Sequence, residues 1–301
     1  MGKQPETPLG NLLEETEQQQ YSRKQIHTWT RLRKSPSAMI GLTIILLLVF
    51  IALMANYISP QGYNDQDLRK GLFAPSRVFP LGTDELGRDL LSRIIYGSRI
   101  SLEVAILVTF ISAATGVSLG AIAGFYGGRI DTIIQGAVDI SWAFPTVLLA
   151  IFLVAVLGPS LASVMLAIGL GYWGGFERVV RGQILSLREQ EFVLAARALG
   201  AKNSRIMFLH LLPNCIAPVI VMATLMLADA ILIEATLSFL GMGAQPPTPS
   251  WGSILSGGRS YLRLAPWVTI FPGLAIMFTV LGFNLLGDGL RDTLDPRLRN
   301  L

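Results

Sequence analysis

Three acids and one amide stand in or beside stretches too apolar for a soluble surface: Asp139, Asp229, Glu234 and Asn284. An ionised carboxylate at the centre of a bilayer costs at least about 2.5 kcal/mol, so such a group must face a partner, water or a protein interior. The chemistry open to these four is that of a polar translocation path, a proton or ion relay, or a hydrogen-bonded lock between helices. Asp229 lies near the middle of its apolar stretch. Asp229 and Glu234 point roughly 140° apart around a helix, so one narrow site need not hold both. Covalent chemistry has far less support. Only two histidines occur, His27 and His210, and neither belongs to H-E-x-x-H. There is no G-x-x-x-x-G-K-[ST] phosphate loop. The single Cys215 excludes an intrachain disulfide and a thiolate metal cluster from this chain alone. The chain is therefore expected to carry no catalytic residue, no metal site and no cofactor of its own.

The elements that must position these groups are membrane spans. Of 301 residues 51% are hydrophobic and 15% charged, against roughly a quarter charged in a soluble domain. With a mean hydropathy of +0.53, this excludes disordered and collagenous chains and almost all soluble enzymes. A bilayer crossing needs about 20 mostly apolar residues per helix. Residues 38–57, 104–128 and 264–287 meet or approach that. The block 140–176 is too long for one crossing and divides at Gly158-Pro159-Ser160 into spans at roughly 133–157 and 161–177. Residues 215–240 form a further span interrupted by Asp229 and Glu234. The expectation is an all-α, polytopic membrane protein of six transmembrane helices, with both termini on one side. Sixteen Lys and Arg flank that side and eight the other, which places both termini in the cytoplasm. The pI near 9.4 then reflects basic loops, not nucleic-acid binding.

The organisation expected is a cytoplasmic tail over 1–37, a first transmembrane helix over 38–58 and an extracytoplasmic loop over 59–100. A five-helix core follows over 101–290, interrupted by a cytoplasmic loop at 188–213, and a cytoplasmic tail ends the chain over 291–301. The tail lacks the apolar core of a signal peptide, so the first span is expected to stay as an anchor. Ser22–Ser35 mixes bases with Ile26, Trp29 and Leu32, as an interfacial helix or as a plain basic flank to the first span. In Leu81–Leu102, Thr83 as cap and the apolar spacing of Leu86 to Ile95 predict a short amphipathic helix broken at Gly97. Gly116, Gly120 and Gly124, in register with Ser112, predict a close-packing seam within the chain or with another subunit.

The loop REQEFVLAARALGAKNSRIMFLHLLPN (Arg188–Asn214) predicts two short helices. The first ends at Gly200 as C′ residue; the second is capped by Asn203 or Ser204 and closed by Pro213. By residue pattern alone this is a docking element or an amphipathic interfacial loop. It resembles the Glu-Ala-Ala, x3, Gly, x9, Ile-x-Leu-Pro signature of binding-protein-dependent ABC importer permeases. Leu194-Ala195-Ala196, Gly200 and His210-Leu211-Leu212-Pro213 fall at matching spacing. Leu194 and His210 depart from the signature's Glu and Ile; Glu191, three residues before Leu194, supplies the nearby acid. GTDELGRDLLSR, FYGGRID, AFP, LSFLGMGAQPPTPSWG and FNLLGDGLRDTLDPRLR in order are similar to the dipeptide/oligopeptide/nickel branch, and most to its C-type subunit.

That resemblance implies the type I ABC importer permease fold in a bacterial or archaeal inner membrane. It implies a second homologous permease subunit, two cytoplasmic ATPase subunits that bind ATP and Mg, and an extracytoplasmic substrate-binding protein. Glu191, Ala195, Ala196, Arg197, Gly200 and Pro213 would make the ATPase contact. Di- or oligopeptides, glutathione among them, are the cargo expected. Nickel is the alternative, against which both histidines fall on the cytoplasmic side. An ion-coupled secondary transporter is a further rival, against which no inverted repeat joins the halves.

Overall fold

A computed structural model describes residues 30 and 32–294. The main helices are α1 (Pro36–Leu53), α2 (Leu90–Tyr126), α3 (Gly128–Trp142), α4 (Thr146–Leu157), α5 (Leu161–Leu187), α6 (Glu191–Ala198), α7 (Leu212–Phe239), α8 (Trp251–Gly258) and α9 (Trp267–Leu294). Apart from one bridge, Thr83 with Asp89, the described residues form no sheet. By length and composition α1, α2, α9 and the continuous stretch Asn203–Phe239 can each cross a membrane, and α3 with α4 qualifies as one broken span. Helix α5 has 27 residues, about 40 Å at 1.5 Å per residue. It is less apolar because Glu177, Arg178 and Arg181 lie in its second half. It covers the span expected at 161–177, but it is not among the helices that qualify by length and composition, so the described residues offer up to five such spans where six were expected.

The core is built on α2, α5 and α7, with α4 against α5, α9 against both α7 and α1, and α8 across α7 and α9. The glycine seam on α2 faces α5. A side chain at Gly116 would run into the Trp173 carbonyl and Phe176. One at Gly120 would stand 2.5 Å from the Glu177 carbonyl oxygen, and one at Gly124 would stand 3.0 Å from that of Arg181. Ser112, in the same register, donates its hydroxyl to the Gly169 carbonyl at 2.9 Å. The seam thus joins two helices of one chain. In hydrocarbon, where apolar side chains gain little from leaving lipid, such close packing supplies much of the association.

Several expectations change. No helix starts at Thr83, which is buried; its hydroxyl accepts from Phe73 N at 2.8 Å and donates to the Lys70 carbonyl. Asp84 folds the next residues into a turn, accepting from Leu86 N at 2.9 Å, Arg88 N at 3.0 Å and Arg88 Nε at 2.6 Å. Helix α2 begins after Asp89, whose carboxylate caps Ser92 N at 2.8 Å, and it runs straight through Gly97. That glycine makes room: a Cβ there would lie 3.0 Å from the Trp251 ring, whose Nε1 donates to the Ile94 carbonyl at 3.0 Å.

The span expected at 133–157 is bent by 88° between α3 and α4. Pro145 removes a donor and disfavours helical geometry at Phe144, so the break falls just ahead of α4. Pro213 does not close a helix. Asn203–Arg205 passes through a wide turn at Ile206–Leu211 into α7, where Pro213 occupies the first turn. Widening to i→i+5 bonding relieves the clash a proline makes with the carbonyl four residues back. The interfacial helix expected over Ser22–Ser35 lies mostly outside the described residues, although Leu32 is buried. The end of the C-terminal tail, 295–301, also lies outside them.

Gly120→Val should overpack the α2–α5 seam, at a cost of about 1–3 kcal/mol. The purified chain in detergent is expected to unfold several degrees lower, while Gly182→Ala, which meets no atom within 4 Å inside a helix, does not lower the transition.

Candidate functional site

Three groups of residues could carry function, and the first is the elbow between α5 and α7. Arg188 Nη1 donates to the Gly124 carbonyl at 3.1 Å, which ties the end of α5 to the end of α2. Helix α6 then buries only Val193. Glu191, Ala195 and Arg197 are exposed, as are Leu194 and Leu199, the last at 88%. Gly200 has φ +78°, and Gly200 N and Ala201 N donate to the carbonyls of Arg197 and Ala196. This is the left-handed C′ glycine and paired bonding of a Schellman ending. The Arg197 guanidinium carbon lies 5.8 Å from the centre of the Phe125 ring. Glu191, Ala195, Ala196, Arg197 and Gly200 therefore share one short, exposed element. Pro213 is exposed further along, at the base of α7.

The second group is a polar ladder between α3 and α5 that sequence reasoning missed. Arg181 grips Asp131 with two bonds, Nε to Oδ1 at 2.6 Å and Nη2 to Oδ2 at 2.7 Å. Gln135 Nε2 donates to Glu177 Oε1 at 2.7 Å, while Glu177 Oε2 is buried without a hydrogen-bond partner among the described residues. Arg178 Nη2 donates to Asp139 Oδ1 at 2.8 Å, and the same guanidinium stacks 4.0 Å from the Trp142 ring centre. Asp139 is thus tied to Arg178 near the α3–α4 break. The signal was in the sequence: Asp131, Gln135 and Asp139 recur every fourth residue, opposite Glu177 and Arg181, also four apart.

The third group surrounds Asp229. This acid is exposed on α7 and has neither a hydrogen bond nor an ion pair among the described residues. It lines a cavity of about 360 Å³ together with Trp142, Thr146, Gly171, Tyr172, Gly175, Met222, Leu225 and Met226. Glu234 lies elsewhere, fully buried, accepting from the Ser238 hydroxyl at 2.6 Å and the Ser101 hydroxyl at 3.5 Å. That arrangement cross-links α7 to α2. Asn284 is exposed on α9, apart from the cavity. The structure therefore places the four intramembrane polar candidates in four separate settings. Of them, Asp229 lines a cavity large enough for a small ligand.

Residues 116–300 match the family described as "Binding-protein-dependent transport system inner membrane component", and residues 26–75 match the "N-terminal TM domain of oligopeptide transport permease C". The dipeptide transport system permease protein DppC of Alkalihalophilus pseudofirmus is 47% identical over 90% of this chain and 89% of its own length. DppC of Haemophilus influenzae is 43% identical over 90% and 94%. The glutathione transport system permease protein GsiD of Escherichia coli O6:K15:H31 is 44% identical over 90% of each. Among solved structures, a chain of the inward-facing MetNI methionine ABC transporter superposes with a TM-score of 0.55 at 19% identity. The match covers 68% of this chain and 97% of that one, and the likeness is one of fold.

Because Asp131 and Arg181 meet through a bidentate, partly buried pair, Asp131→Arg and Arg181→Asp should each lower the detergent unfolding transition. Combining them should recover most of the loss. The coupling energy expected from the thermal double-mutant cycle is about 1–3 kcal/mol; simple additivity would remove the ladder's cohesive role.

Proposed function

The chain belongs to the binding-protein-dependent transport system inner membrane components, and from that premise we propose that it is one permease subunit of an ATP-driven importer for di- or oligopeptides. It is a multi-pass inner-membrane transport protein with the type I ABC importer permease fold, not an enzyme. In the proposed assembly it pairs with a second, homologous permease subunit to form the path. Two cytoplasmic ATPase subunits bind and hydrolyse ATP with Mg, and a soluble binding protein delivers cargo from the far side. Both termini and the α5–α7 elbow face the cytoplasm in this reading, which the distribution of basic residues supports.

The observation that carries the coupling role is the exposed apolar edge of the elbow, Leu194 and Leu199, on an element fixed to the transmembrane core. Small Ala195, Ala196 and Gly200 let a partner's backbone approach, and Glu191 and Arg197 offer charged hydrogen bonds at the rim. Pro213 starts the span that receives the push. When the ATPases close, the elbow moves as a body with α5 and α7. The ladder from α5 to α3 carries that displacement to the broken span.

The names of the relatives, dipeptide, glutathione and peptide systems, support peptide cargo over nickel. The test is reconstitution of the four-subunit complex in proteoliposomes with its binding protein and a labelled dipeptide. ATP-dependent dipeptide accumulation is expected. Uptake driven by a proton gradient without ATP would instead favour a secondary transporter.

Leu199→Glu places a charge at the most exposed apolar point of the elbow without disturbing a contact within the chain. Recovery of the ATPase subunits with the permease should fall roughly tenfold, and dipeptide uptake with it. The variant itself should remain in the membrane, checked by fractionation and blotting.

A further inference from the structure

The cavity beside Asp229 points to a chemistry narrower than a generally polar path. Its one ionisable acid is Asp229, and none of the side chains lining it is cationic. The carboxylate is exposed, mid-helix and unpaired among the described residues. An ionised carboxylate on that face is too costly to turn toward hydrocarbon. The face therefore meets water, a cation or a polar group of a partner subunit, and the cavity beside it is what favours a cation. A metal ion is a poor occupant, because hard cations ask for several oxygen ligands and soft ones for histidine or thiolate. Among the described residues, no three His, Cys, Asp or Glu side chains gather to hold one.

An organic ammonium fits better. Tyr172 supplies an aromatic wall that attracts a cation, Trp142 a second wall whose ring carries the Arg178 guanidinium, and Met222 and Met226 are adaptable apolar surfaces that accept varied side chains. The volume, about 360 Å³, falls within the roughly 300–1,000 Å³ of small-ligand sites. Trp142 and Thr146 flank the α3–α4 break, so the cavity lies on the bent span rather than beside a rigid one. Trp142 is itself held by the Arg178 guanidinium, which is already committed to Asp139.

We infer that Asp229 and the aromatic-walled cavity around it form a subsite that receives the α-ammonium group of a peptide in transit. The inference rests on the peptide-importer reading above. Asp229 is the ammonium acceptor, and the cavity walls take the adjoining side chain without selecting its identity. A peptide carboxylate is not held here, since nothing cationic lines the space.

The experiment uses the complete reconstituted complex with its binding protein and a dipeptide whose second residue carries a photoreactive diazirine. Wild type should accumulate the dipeptide and, when illuminated during turnover, carry the label on Tyr172, Met222 or Met226. Asp229→Asn should cut both labelling and initial uptake roughly tenfold, the scale of one charged hydrogen bond. Asp229→Glu should restore most of each. Uptake and labelling equal in wild type and Asp229→Asn would overturn the subsite alone. Loss of the second permease subunit on purification of Asp229→Asn would also overturn it, by making the acid an interface group. A wild-type complex that moves no dipeptide with ATP would overturn the importer reading and the subsite together.

Discussion

Backbone-to-backbone contact between α2 and α5 is the constraint on which the remaining geometry rests. Glycines at four-residue intervals remove the side chains that would hold the helices apart, and Ser112 closes one end of the seam with a bond to a main-chain carbonyl. With the two axes so close, Glu177 is buried beside α2 while its neighbours Arg178 and Arg181 turn to α3. A wider separation would hydrate Glu177 and loosen its bond to Gln135. The seam therefore sets the distance at which the polar ladder can form. It also fixes where α5 ends and the elbow begins, because Arg188 reaches back to the last glycine of the row.

The ladder and elbow form one mechanical unit. A bidentate arginine–carboxylate pair resists rotation as well as separation. The Arg181–Asp131 pair therefore ties α3 to α5 in orientation as well as position. In the proposed coupling, a displacement applied at α6 would pass along α5 and across these bonds to the 88° break. Apolar contacts alone would allow the helices to slide. On the far side of the core, Glu234 and its serine partners tie α7 to α2 and keep the helix bearing Asp229 in register with the bundle.

Much of this was legible in residue order, and the failures have physical causes. Span positions, the glycine seam and the Gly200 ending follow from local rules: apolar length, absent side chains and left-handed geometry at one residue. Thr83, Asp84 and Glu85 carry the composition of a helix entry, yet α2 starts after Asp89. Asp84 instead folds back on Leu86 and Arg88, and Asp89 takes the cap. Gly97 has the local signature of a breaker but serves close packing against Trp251, a partner far along the chain. Pro213 looks like a stop in residue order, but a proline's effect depends on the bonding pattern four and five residues back. The Asp229 cavity was out of reach altogether, since its walls come from α3, α4, α5 and α7.

The wide turn at Ile206–Leu211 also alters how the elbow and the following crossing are phased. Each residue advances an ordinary helix by about 100°, and one surplus residue in a turn offsets every later side chain by about that angle. A helical wheel drawn from Asn203 and carried unbroken to Phe239 would therefore rotate Asp229 off its true stripe. The two segments need separate wheels with the splice at Leu212, so the apolar stripe of the elbow and that of the crossing need not lie on one line of this continuous rod.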